Sequence, residues 1–166
     1  MSAPTAEAAA TRRATEHVTA LRPPTGARLL RLTDHVLAEL LDLPAEAGHL
    51  LHGDMKCDNV LVDGDRLRIV DLDRVTSGDP ALDVGKICAD LRWWAMVGTA
   101  DGDELVAALL AGYGPCDDAG RLARAACYDV LFQLRAAGRR VQLHEPGWAE
   151  RVDECVELAD RTWRRR

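Results

Sequence analysis

Three polar residues in one short stretch have the types and spacing to handle a phosphoryl group. His52-Gly53-Asp54 is followed, five residues after the aspartate, by Asn59, and a second aspartate, Asp71, ends the apolar run Leu67-Arg68-Ile69-Val70. A carboxylate such as Asp54 can orient a hydroxyl and accept its proton. Asn59 and Asp71 offer hard oxygens of the kind Mg²⁺ takes. Phosphoryl transfer needs both functions, a carboxylate directing the attacking hydroxyl and a divalent cation offsetting charge on the β and γ phosphates.

Such residues act together only if the chain brings them to one point, and the hydrophobic period indicates how. Between His49 and Val70 the apolar residues come in short runs, Leu50-Leu51, Val60-Leu61-Val62 and Leu67 to Val70, the last two joined through Asp63-Gly64. This is the signature of a hairpin with an Asp-Gly turn. A loop entering one strand and a loop leaving its partner emerge at the same end, so Asp54, Asn59 and Asp71 are expected at the open end of that hairpin.

Helical spacing governs the rest. Leu29, Leu30, Val36, Leu37, Leu40 and Leu41 form a stripe over residues 27–41, which Pro44 terminates. After Gly78-Asp79-Pro80 the helical period resumes with Val84, Ile87, Cys88, Leu91 and Ala95, and three more helices are expected over roughly 103–111, 118–137 and 147–163. The last carries Trp148, Val152, Cys155, Val156, Ala159 and Trp163 on one face. The Ala-rich opening, 2–21, reads as a helix that Pro23-Pro24 ends. The expected class is α+β, mainly α-helical, with one central hairpin.

The polar stretch resembles the aminoglycoside phosphotransferase and choline kinase-like family, relatives of the protein kinases. The resemblance rests on His52-Gly53-Asp54-Met55-Lys56-Cys57-Asp58-Asn59, then Ile69-Val70-Asp71-Leu72-Asp73, then Gly78-Asp79-Pro80-Ala81-Leu82-Asp83-Val84, three motifs in the family's order. It extends through Gly112-Tyr113-Gly114 to the helix at Pro146-Gly147-Trp148. The resemblance implies the large lobe of a protein kinase-like fold over residues 26–166, preceded by a helical or flexible segment, 1–25. It further implies Asp54 as catalytic base, Asn59 and Asp71 as magnesium ligands that hold the nucleotide, and Asp83 as a support for the catalytic loop. Lys56 lies where protein kinases often have a lysine touching the γ phosphate, and His52 is expected to bond the loop backbone. ATP and Mg²⁺ are the implied donor and metal.

Other residues have plainer readings. Asp63-Gly64 is a turn, Asp79 starts a helix and Asp73 is a solvated carboxylate. Cys57 reads as inert, with only Lys56 near it to lower its pKa. The histidines at 17, 35, 49 and 144 lack metal-ligand spacing. Five cysteines without a C-x-x-C pair read as reduced thiols, most of them in the core.

Composition narrows the function classes. A chain of 166 residues with 48% hydrophobic content has the material for one globular domain, and a formal charge of −6 offers no general attraction to nucleic acid, although Arg164, Arg165 and Arg166 are locally basic. The longest apolar run, Leu105 to Ala111, is far below the ~20 residues that span a bilayer. With no credible signal segment, a cytoplasmic protein is expected.

A kinase of the implied type also needs a small lobe with a phosphate-covering loop and a strand lysine. The thirteen glycines contain no G-x-G-x-x-G, and the lysines are Lys56 and Lys86. The small lobe is therefore expected from a partner chain, with inactive truncation and a non-catalytic binding module as the alternatives. The isolated chain should bind ATP weakly and expose apolar surface where a small lobe would dock, at the helix bearing Leu29 to Leu41 or on the catalytic face. The acceptor is expected to be a small hydroxyl compound. Asp54, Asp58, Asp71 and Asp73 suit a cationic one.

Overall fold

The computed structural model describes residues 2–46, 48–115, 118 and 120–166. It is an α+β protein with a strongly helical balance: α1 (Ala3–Ala14), α2 (Glu16–Leu21), α3 (Pro23–Asp42), β1 (His49–Leu51), β2 (Val60–Asp63), β3 (Arg66–Ile69), β4 (Thr76–Gly78), α4 (Ala81–Val97), α5 (Gly102–Tyr113), α6 (Arg121–Arg139) and α7 (Trp148–Arg165). The chain divides into two compact units, residues 44–129 and residues 1–43 with 130–166. Residue 25, where a boundary was expected, lies inside the second of these, in the first turn of α3.

The helical unit is built from α1, α2, α3, α7 and the second half of α6. Pro23 and Pro24 do not merely end a helix; they occupy the first turn of α3, where a missing N–H leaves no bond unmade. Leu29, Leu32, Val36 and Leu40 of α3 are buried, whereas Leu41 is 55% exposed, so the stripe is narrower than the run of leucines suggests. Opposite them α7 buries Val152, Cys155, Val156 and Ala159. Each fully buried Leu or Val contributes about 1.5–3 kcal/mol. Thr11 and Arg135 link α1 to α6: the guanidinium of Arg135 donates to the Glu7 carboxylate at 2.6 Å and to its carbonyl at 2.7 Å.

The other unit carries two antiparallel pairs, β1 with β4 and β2 with β3. In the hairpin Asp63 pairs with Arg66, so the two loop residues are Gly64 and Asp65, one place later than the sequence suggests, with Gly64 at φ +57. Strand β4 was not foreseen. It has only three residues, Thr76-Ser77-Gly78, too few to show a period. Helix α4 buries Val84, Ile87, Cys88 and Ala95. Gly85 lets α6 approach, since a Cβ there would lie 2.5 Å from the Ala125 carbonyl oxygen and from Tyr128 Cβ.

Cys88, Cys127 and Cys155 are buried without disulfides; Cys116 lies outside the described residues. Burial pushes the thiols of Cys88 and Cys155 up to about 12, which keeps them protonated and inert. Among the described residues no helix is long and apolar enough to cross a membrane.

Candidate active site

The loop between β1 and β2 is held mainly by backbone hydrogen bonds to charged side chains. Asp83, in the first turn of α4, accepts the His52 N–H at 2.6 Å and the Gly53 N–H at 3.1 Å. His52 uses both ring nitrogens: Nε2 donates to the Val70 carbonyl at 2.9 Å, and Nδ1 accepts the Asp54 N–H at 3.3 Å. That pattern makes His52 a brace between the loop and the end of β3. Further along the loop, Asp90 accepts the Cys57 N–H at 2.6 Å, just ahead of a short 3₁₀ helix, Cys57–Asn59.

Gly53 has φ +76, and a Cβ there would stand 2.2 Å from the Arg74 carbonyl oxygen. Both the backbone conformation and the space require glycine. Gly53→Ala is expected to cost about 1–3 kcal/mol or more, read as a fall in the urea midpoint at constant m; an unchanged midpoint would mean the loop is not held as described.

Asn59 is buried, with its Nδ2 donating to the Asp54 carbonyl at 2.9 Å, while its own carbonyl accepts the Val70 N–H at 3.0 Å. Asn59 and Asp71 thus flank the open end of the β2–β3 hairpin, and Asp54 is tied to the same end through Asn59. Asp71 adopts φ 63 and ψ 56, and it is the one non-glycine residue with positive φ among the described residues. Such a conformation costs of order 1–3 kcal/mol and clusters at functional sites.

Asp54 lies between the chain's two lysines. One carboxylate oxygen bonds Lys86 of α4, and the other faces Lys56 Nζ at 3.6 Å. Partial burial alone would raise this carboxyl. The hydrogen bond and charge of Lys86, with the charges of Lys56 and Arg74, outweigh it and hold the group below its ordinary value of 3.8. Lys86 also reaches the Gly53 carbonyl at 3.4 Å.

Sequence reasoning missed Lys86 and Asp90 as site residues. Their signal was present: Asp83, Lys86 and Asp90 recur at i, i+3 and i+7 on a helix whose one other charged residue is Arg92, which puts three charges on one face. Asp79 anchors the start of α4, accepting the Ala81 N–H at 3.0 Å and the Arg124 Nε–H at 2.5 Å. Asp58 and Asp73 are exposed.

The donor set suits a hard cation. With Nδ2 of Asn59 committed to backbone, its Oδ1 is the atom that could meet a cation, and the exposed Asp71 carboxylate has no hydrogen bond or ion pair among the described residues. No three His, Cys, Asp or Glu side chains converge among those residues, so a cation here would complete its shell with phosphate and water oxygens.

The strands and their connections also expose apolar side chains. Leu50 is 80% accessible, Val62 72% and Leu67 69%, with Leu61, Ile69, Leu72 and Val75 also exposed. Along α3, one of the two surfaces on which apolar exposure was expected, Leu29, Leu32, Val36 and Leu40 are buried and Leu41 is exposed.

One partly buried carboxylate, one buried amide and one exposed carboxylate thus sit on a loop and hairpin braced by a helix. The profile of the phosphotransferase enzyme family matches residues 1–127, and the chain belongs to that family. The match takes in α1 to α5 and all four strands; α7, to which the sequence resemblance was extended, lies beyond it. No curated protein and no solved structure matches the chain.

Proposed function

We propose that the chain supplies the base and metal ligands of an ATP-dependent phosphotransferase acting on a hydroxyl of a small molecule, as the large lobe of a protein kinase-like fold. What carries this reading is that the Asn59 side chain bonds the Asp54 carbonyl while the Asn59 carbonyl bonds the Val70 N–H beside Asp71, on a loop braced by Asp83 and His52. Asp54 orients the acceptor hydroxyl and takes its proton. Asn59 Oδ1 and the Asp71 carboxylate would hold Mg²⁺. When bound, Mg²⁺ supplies positive charge against the β and γ phosphates. Lys56, 3.6 Å from Asp54, would reach the transferred phosphoryl group.

The groups that cover the phosphates and hold the adenine would come from a small lobe on another chain. The exposed apolar residues of the strands and their connections support this, because such surface in quantity marks an interaction site. The acceptor is a hydroxyl compound. Its charge preference would rest on Asp58, Asp71 and Asp73, since the lysines offset Asp54.

The test is the metal site. Asp71→Asn is expected to raise the magnesium concentration needed for half-maximal initial rate, along with a loss of rate, because one carboxylate no longer draws the cation to the phosphates. Mn²⁺ in the presence of ATP should broaden the NMR signals of the Asn59 amide and residue 71, and Asp71→Asn should abolish the effect. Undisturbed signals in the wild-type chain would point instead to a binding module without metal chemistry.

A further inference from the structure

The helical unit contains a cleft of about 200 Å³ that the phosphotransferase reading does not use. It runs between α3 and α7. Its floor is Leu32 and Val156, both buried, and its walls carry Arg28, Arg31 and His35 from α3 and Trp163 and Arg164 from α7. Arg28, Arg31 and His35 follow at i, i+3 and i+7, so they share one helix face.

The charge in this cleft is not internally balanced. The carboxylate lining it, Asp160, is engaged by Arg164 at 2.7 Å. Arg28 and Arg31 have no hydrogen bond or ion pair among the described residues. Many of the chain's other arginines do have acid partners, among them Arg12 with Asp34, Arg22 with Asp153 and Arg135 with Glu7. Two guanidiniums without an acid partner on one concavity give it a local positive potential that favours an anion. The ring beside them is held in place: the Arg166 guanidinium lies 3.2 Å from the Trp163 ring centroid and is itself bound by Glu39.

We propose that this cleft binds a phosphorylated ring compound, the class that includes nucleoside monophosphates. Planar guanidiniums present paired donors that match phosphate oxygens. Arg28 and Arg31 take the phosphate, and Trp163 packs against the ring, an indole being a large apolar face that stacks on flat partners. The proposal does not depend on the hairpin site, which lies in the other unit.

The experiment is calorimetric titration of the full chain in EDTA, which removes any contribution requiring magnesium. AMP, ribose 5-phosphate and inorganic phosphate are compared. AMP should bind tightest. Arg28→Gln and Arg31→Gln should each weaken it about tenfold or more, the loss of one charge-assisted contact, and the double variant should abolish binding. Both arginines are exposed and unpartnered, so thermal unfolding should be unchanged in these variants. Trp163→Leu should reduce AMP to the affinity of ribose 5-phosphate. The proposal is overturned if AMP does not bind at millimolar concentration, if the double variant binds it as well as the wild type, or if inorganic phosphate alone binds as tightly as AMP.

Discussion

Asp54→Asn is expected to lower phosphoryl transfer by about 10²-fold or more while leaving nucleotide affinity nearly unchanged. A positioned base acts in the transition state, where general acid-base groups contribute about 10² to 10⁴. The lysine contacts add a pH signature. Because Lys86, Lys56 and Arg74 depress the Asp54 carboxyl, the base stays ionised as pH falls through the ordinary aspartate range, and the acid limb of kcat/KM should lie below it. Lys86→Met removes the strongest of those stabilising contacts, so the limb should move to higher pH. Asp73→Asn should do much less than Asp54→Asn, its side chain being exposed and assigned no ligand role. Initial rates with labelled ATP on the active assembly, measured against pH, decide the matter: near wild-type turnover in Asp54→Asn removes it as the base, and an acid limb unmoved in Lys86→Met removes the coupling.

Arg124→Leu should be the most damaging substitution for stability, at about 3–5 kcal/mol, the usual cost of breaking a buried ion pair from one side. Arg124 is 1% exposed and binds Asp79 through Nε at 2.5 Å, Asp118 at 2.6 Å and the Pro44 carbonyl at 2.7 Å. Its loss strands the Asp79 carboxylate, which is itself buried and begins the helix that braces the catalytic loop. Arg124→Lys should recover only part of the loss, because an ammonium cannot reproduce the guanidinium fork. The same network gives stability an acid dependence. Hydrogen bonds from Arg124 and Arg121 hold Asp118 and Glu46 below the ordinary carboxylate range, so their contribution is present above that range and is lost as pH falls through the depressed values. Urea unfolding of the wild type and both variants checks this; a loss below about 1 kcal/mol in Arg124→Leu would mean the pairs contribute little.

The helices and the hairpin were legible in the residues because each is specified by local order. The period at Val84, Ile87 and Cys88 needs only its own turn geometry to identify a buried helix face, and Val60–Val62 with Leu67–Val70 identify paired strands through the turn between them. The placement of the candidate residues was legible for the same reason: Asp54 and Asn59 are joined by one loop, and the hairpin carries Asp71 back to that end. Even so, Asp63 proved to be a paired strand residue and not a loop residue, since register is settled by cross-strand bonding that a dipeptide does not encode.

What only the tertiary structure decided involves partners distant in the chain. That Lys86 reaches Asp54 across 32 positions, and Asp90 reaches Cys57 across 33, depends on how α4 lies against the loop. The charged stripe on α4 announced that something faces it, but not what. The same holds for Arg124, whose partners Pro44 and Asp79 are 80 and 45 positions away, and for the α3–α7 cleft. Periodicity reports which side of an element is buried. The identity of the group buried against it follows from packing, where volume and charge must be satisfied together by residues that sequence order leaves far apart.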